Sequence, residues 1–202
     1  PEDAEEVCNY IEAINYARKQ IASPRGLPIG TRLLCGAHKR LMKGARGAEK
    51  SPGKVRKSQN WIGGSRPGNA VFVPPPAEDV PECLAALEKW IHAKDSLAPL
   101  LGIGLAHVQF ETIHPFLDGN GRIGRLLVTL LMEQWGLLDS PILYISLALK
   151  QRRQEYYHRL AEVRSLGAWE AWLQFFLEAV ADAADNGVQT AEALFACVND
   201  HR

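Results

Sequence analysis

The chain has 202 residues, 47% of them hydrophobic and 23% charged, which fits one globular domain with a full core and excludes a disordered or collagen-like chain. Lysine plus arginine number 23, as do aspartate plus glutamate, so the formal net charge is zero. That balance argues against nucleic acid or an anionic membrane surface as the main partner. The longest apolar stretches, around 126–132 and 137–149, are interrupted by Glu133, Asp139 and Pro141 and fall short of a bilayer span.

The start, Pro1-Glu2-Asp3-Ala4-Glu5-Glu6, has no basic n-region and reads as part of a longer chain rather than a signal peptide. Cys8, Cys35, Cys83 and Cys197 lack CxxC or zinc-like spacing and are expected as reduced, mostly buried thiols in a cytoplasmic protein.

Helical periodicity dominates. Val7, Tyr10, Ile11, Ile14 and Ile21 mark a first helix; Leu33, Leu34, Ala37 and Leu41 mark a second behind Thr31, read as its N-cap. Leu84, Leu87 and Ile91 mark a third, entered through Asp79-Val80-Pro81. A fourth is expected from about Leu97 to Glu111, where Gly102, Gly104 and Ala106 would admit a close neighbour. Ile123, Leu126, Leu127, Leu130 and Leu131 line one face of a fifth. Two more follow, one around 150–164 and one carrying Trp169, Trp172, Leu173, Phe176, Leu177 and Val180 as core aromatics and aliphatics. A last short segment, Thr190–Val198, reads as the start of a linker.

Between Ser51 and Pro76 the chain is rich in Gly and Pro. Trp61-Ile62 and Val71-Phe72-Val73 are its strand-like runs, joined by a loop through Gly63–Asn69 and stopped by Pro74-Pro75-Pro76, so a β-hairpin on a helical body is expected. Such a hairpin needs packing support and offers a free edge to an extended partner. Lys39, Arg40, Lys43, Arg46, Lys50, Lys54, Arg56 and Lys57 face Glu49 alone; with no interleaved aromatics this reads as a solvated helix end and loop.

The stretch with chemistry is His114-Pro115-Phe116-Leu117-Asp118-Gly119-Asn120-Gly121-Arg122-Ile123-Gly124-Arg125. Gly119, Asn120 and Gly121 tolerate positive φ, so their amides can form an anion nest at the positive end of the fifth helix. Arg122 and Arg125, three apart, add charge for a polyanion. Asp118 reads either as an N-terminal cap or, beside a bound polyphosphate, as a ligand for Mg²⁺. His114 precedes Pro115, is expected to be extended, and is a natural general base beside an anion site. His38, His92, His107, His158 and His201 have no comparable neighbours and read as core or surface.

This segment resembles the signature of the Fic family: a histidine, proline, phenylalanine, an acidic residue, Gly-Asn-Gly-Arg and a second arginine three on. The resemblance extends more loosely over residues 5–180. Residues 61–76 are similar to the family's flap hairpin, Gln109–Ile113 to its lead-in, and Tyr156-Tyr157 to its helix after the motif. It implies a mainly helical fold with one β-hairpin flap, a single domain over 1–202 with its core at about 5–185, and transfer of AMP from ATP to a Ser, Thr or Tyr hydroxyl of a target protein. His114 would then be the base and Asp118 the Mg²⁺ ligand; Gly119, Asn120 and Gly121 would cradle the α- and β-phosphates, with Arg122 and Arg125 on the leaving group. Val71 and Phe72 would lie by the nucleotide while the flap edge aligns the target. Tyr156 and Tyr157 are candidates for the adenine pocket or for core.

Many members carry an inhibitory helix, Ser/Thr-x-x-x-Glu-Gly/Asn, whose glutamate pairs with the second arginine. The nearest sequence here, Thr129–Gln134, ends wrongly and lies inside the fifth helix. A helix preceding Pro1 or a separate antitoxin-like partner is therefore expected to supply it, and 186–202 to lead toward a further domain. Alternatives on the same scaffold are transfer of phosphate or phosphocholine, or removal of AMP from a modified protein.

Overall fold

The computed structural model describes residues 2–44, 47–93 and 97–200, with side chains from 5 to 198 within them. It is mainly helical: α1 (Glu2–Ala22), α2 (Thr31–Leu41), α3 (Val80–Ile91), α4 (Pro99–Ile113), α5 (Asn120–Gln134), α6 (Ile145–Gln151), α7 (Arg153–Leu166) and α8 (Trp169–Asp200). Arg46 and His201 lie outside the described residues.

α4 is the central helix, buried on nearly every face: Ile103, Ala106, His107, Val108, Phe110, Glu111 and Ile113 are all inside. It is wrapped by α3, α5 and α8, as an apolar helix without a polar stripe must be. Its glycines admit the neighbours: a Cβ at Gly102 would meet the Trp135 ring, and one at Gly104 the rings and methyls of Phe176 and Leu173. The Gly104 carbonyl accepts Trp172 Nε1–H at 2.9 Å, satisfying the largest buried side chain of α8.

Thr31 is not the N-cap of α2. Gly30 holds that position without a side-chain bond, and Glu88 of α3 accepts the Thr31 N–H at 3.0 Å, so an acid from another helix faces the positive helix end. The helix expected around 150–164 is two. The chain breaks at Arg152, whose guanidinium joins Glu155, Glu178 and Asp182 at 3.0, 2.8 and 3.6 Å and thereby ties the α6–α7 junction to α8. Thr190–Val198 is no separate segment but the continuation of α8, where every side chain from Ala184 to Val198 is exposed.

Between α2 and α3 the described chain has no regular strand. Ile62 and Phe72 form one antiparallel bridge, with Ile62 N–H donating to Phe72 O at 2.9 Å and Val71 N–H to Ile62 O at 2.9 Å. A single 3-10 turn at Pro67–Asn69 closes the loop.

Candidate active site

α4 ends where His114 turns left-handed, at φ 50° and ψ 60°. The extended backbone expected before Pro115 is therefore wrong: His114 acts as a helix C-cap in the αL conformation. For a residue with a Cβ that conformation is costly, and the surrounding bonds over-determine it. The His114 N–H donates to Phe110 O at 3.0 Å. Its carbonyl accepts from Arg56 Nε at 3.0 Å and Asn60 Nδ2 at 3.3 Å. The imidazole is largely buried, and that burial, reinforced by the Arg164 and Arg56 guanidiniums, lowers its pKa to about 4 against the opposing pull of the Glu111 carbonyl and Asp118. At neutral pH the ring is therefore uncharged. Its buried Nδ1 has no hydrogen-bond partner among the described residues.

The turn beyond is rigid for local reasons. Phe116 stacks on His38 with centroids 3.9 Å apart and planes 5° from parallel. Gly53 N–H donates to His38 Nδ1 at 2.8 Å, so Nε2 carries the proton and donates to the Asp118 carbonyl at 2.9 Å. The Asn120 side chain closes a ring with Phe116, accepting its N–H and donating to its carbonyl, both at 2.8 Å. The three-residue nest reduces to one residue: Gly119 alone is left-handed, at φ 78°, while Asn120 and Gly121 already belong to α5. Glycine is required at 119 because a Cβ would strike Met42 Sδ and the His38 ring. The N–H groups of Asn120, Gly121 and Arg122 precede the first intrahelical bond of α5, from Ile123 N to Gly119 O, and form the positive helix end.

A cavity of about 670 Å³ opens beside that end. Arg122, Arg125, Lys150 and Arg153 line it against the single acid Glu6, with Tyr10, Tyr144, Tyr156 and Tyr157 among the walls. Arg122 reaches Glu6 Oε1 at 3.4 Å and Asp118 Oδ1 at 3.7 Å. Tyr156 is buried and bonded to His107 Nε2 at 2.9 Å, which makes it mostly core. Tyr157 is half exposed, with Arg153 over its ring at 5.6 Å.

The structure thus brings Arg122, Arg125, Tyr156 and Tyr157 to one cavity and leaves His114, Asp118, Val71 and Phe72 outside its lining. Val71 is 73% exposed, and Phe72 sits 4.4 Å beneath the Arg164 guanidinium.

Sequence reasoning missed four residues that build this site. Arg56, read as one cation of a solvated run, is buried; it donates to Ser58 O, Pro75 O, Ile113 O and His114 O at 3.2, 2.5, 3.4 and 3.0 Å and so staples both ends of the flap to the His114 turn. Arg164 donates to the Glu111 carbonyl at 2.9 Å. His38 holds Asp118 as described. Glu111 lies buried under the first turn of α5. A signal existed for Glu111: with His107 four residues before it, it puts two titratable groups on one face of an otherwise apolar helix.

A helical domain in which a histidine-capped helix turns directly into a cationic helix N-terminus is the class that fold and site define. Residues 28–132 match the family described as Fic/DOC, and the chain belongs to that family. Over 110 residues it is 36% identical to the protein adenylyltransferase Fic of Drosophila grimshawi, covering 54% of this chain and 20% of the relative. The chain therefore spans about a fifth of the curated relatives it matches. A Fic family protein from Desulfovibrio desulfuricans superposes with a TM-score of 0.75 at 30% identity, covering 95% of this chain and 55% of that one. Caenorhabditis elegans Fic-1 shares the fold at a TM-score of 0.69 and 22% identity, over 94% and 52% of the two chains.

Proposed function

We propose that this chain transfers AMP from ATP to a hydroxyl side chain of a target protein. The observation that carries the reading is the passage from the buried His114, the left-handed cap of α4, into the N-terminus of α5, whose Arg122 and Arg125 line the cavity; the naming of the Drosophila relatives as protein adenylyltransferases supports it.

In this reading the triphosphate lies along the first turn of α5, with the Asn120, Gly121 and Arg122 amides at the α- and β-phosphates and the Arg122 and Arg125 side chains on the departing diphosphate; Gly119, expected to join the cradle, instead gives its N–H to Asp118 Oδ1 at 2.5 Å. The target oxygen bonds to the α-phosphorus as the bond to the β-phosphate oxygen breaks and pyrophosphate leaves. Neutral His114 accepts the hydroxyl proton. Tyr157, with its exposed ring, suits the adenine better than buried Tyr156. Catalysis is positioning plus charge stabilisation.

Asp118 fits a Mg²⁺ ligand. It is partly exposed, 3.7 Å from the Arg122 guanidinium, and its Oδ1 also accepts the Gly119 N–H at 2.5 Å in the manner of a cap; no group of three or more acidic, His or Cys side chains forms a metal site among the described residues. The ion would draw its remaining ligands from phosphate and water, as Mg²⁺ prefers, and would supply charge neutralisation between the phosphates. The bridged segment 61–73 would serve as the hairpin flap, its exposed edge at Val71 taking an extended target by strand addition. The thiols are less buried than expected, with Cys8 and Cys197 exposed and Cys35 and Cys83 half-buried; a cytoplasmic setting is the reading that would keep them reduced. Inhibition by a glutamate-bearing helix or an antitoxin-like partner would act at Arg125.

The test is incubation with ATP labelled at the α- or the γ-phosphate, Mg²⁺ and a cell lysate. Protein label from the α-position alone is expected. Label from the γ-position would replace AMP transfer with phosphate transfer, and bound ATP without protein label would overturn the reading for this chain.

A further inference from the structure

Glu111 is the only carboxylate on α4, it is 5% exposed, and nothing in the proposed chemistry uses it. Its Oε1 is buried without a hydrogen-bond partner among the described residues. That oxygen fills the space of a missing side chain: a Cβ built on Gly124 would lie 2.4 Å from Glu111 Oε1 and 3.1 Å from His107 Cε1. A Cβ on Gly121 would lie 3.1 Å from Arg125 Nη1 and 3.9 Å from Glu111 Oε1. The Arg125 guanidinium and the Glu111 carboxyl therefore both border the small gap beside Gly121.

We propose that Glu111 is a positioning residue of the anion site: its carboxyl supports the first turn of α5 from beneath and sets how much of the Arg125 charge is available to a phosphate. The inference rests on the reading that Arg125 meets nucleotide phosphate.

The groups facing this carboxyl are Arg125 from α5, Arg164 and Tyr156 from α7, and His107 on its own helix. His107 is no proton donor to it. Its Nδ1–H is directed to the Gly124 carbonyl at 3.1 Å and its Nε2 accepts the Tyr156 hydroxyl, and burial keeps the ring neutral, with a pKa of about 4. Burial raises the Glu111 pKa to about 7 while Arg125 and Arg164 pull it down, so near neutrality the group divides between acid and carboxylate. As carboxylate it attracts Arg125 inward, in competition with a ligand. As acid it is neutral and no longer draws on the Arg125 charge. A polyanion arriving at Arg125 disfavours the carboxylate by direct repulsion, so binding draws a proton onto Glu111. The same linkage weakens binding as pH rises through 7.

Calorimetric titration with the Mg²⁺ complex of the β,γ-imido analogue of ATP, in two buffers of different ionisation enthalpy, measures this proton. At pH 7 the unmodified chain should take up a fraction of a proton, up to about one half, beyond what Glu111→Gln takes up. The difference should vanish at pH 5, where the carboxyl is already protonated. Protonation of the analogue itself enters both measurements equally. Affinity of the unmodified chain should fall several-fold more than that of Glu111→Gln between pH 6 and pH 8. Equal proton exchange in two proteins that both bind the analogue overturns the inference and leaves the nucleotide reading intact. An unmodified chain that binds no analogue overturns the nucleotide reading itself. If Glu111→Gln fails to fold, infrared difference spectra of the unmodified chain at pH 7 decide: a carboxylic-acid C=O band gained on analogue addition supports the inference, and its absence overturns it.

Discussion

His114 is held in a left-handed turn with a neutral ring, so its chemical and structural roles can be separated. His114→Ala should retain the affinity for ATP while losing label transfer by about 10²-fold or more, measured with α-labelled ATP; equal transfer would remove His114 from the chemistry. His107 is fully buried and its pKa of about 4 lies below the ordinary 6.5. Between those values the unfolded chain binds the proton that the folded one refuses, so this residue costs stability progressively as pH falls from 6.5 to 4 and contributes no pH dependence above it. Glu111 acts oppositely, adding stability as pH falls from about 7 toward 4.5. The drop in Tm on acidification from pH 6.5 to 4 should therefore be smaller in His107→Gln than in the unmodified chain, in paired thermal melts. The burial of His107 stays invisible in the sequence because a histidine reads the same whether buried or solvated; the motif histidine stood out only through its neighbours.

The flap has one backbone bridge of its own, and a lone two-stranded ribbon is marginal in water. Its position comes from Arg56, with four carbonyl acceptors, and from Arg164 over Phe72. Arg56→Leu should cost about 3 kcal/mol in urea unfolding, because carbonyls left buried without donors are expensive, whereas Lys57→Leu, at an exposed neighbour, should change little. Six of the helices, α1 to α5 and α8, were legible from apolar spacing alone, since each buries a face or a whole surface, although Val7, Ile11 and Trp169, read as part of those faces, lie exposed. The α6–α7 break was not legible. It depends on Arg152 meeting acids from α8, partners that no local window contains.

Across the molecule, packing along α8 stops at Ala183 among the described residues. α8 buries Trp172, Phe175, Phe176 and Ala179 and closes with Ala183, and every described side chain after it, from Ala184 to Val198, is exposed. Truncation after Ala183 should leave Tm within about 2 °C of the unmodified value; a larger fall would mean that the outer turns of α8 support the body. The anion site was readable in sequence because its residues are contiguous, from His114 to Arg125. Its floor was not, because Glu111, His38, Arg56 and Arg164 converge from α4, α2, the flap base and α7. One of these long-range fits binds two distant positions to a common fate. With the Glu111 carboxyl standing where a Gly124 side chain would begin, neither position can drift alone: Gly124→Ala should destabilise the unmodified chain, and Glu111→Ala should take away much of that penalty. A double-mutant cycle with a favourable coupling between the two would show that Gly124, the third glycine of the stretch, is specified from thirteen residues upstream, by an acid on a different helix.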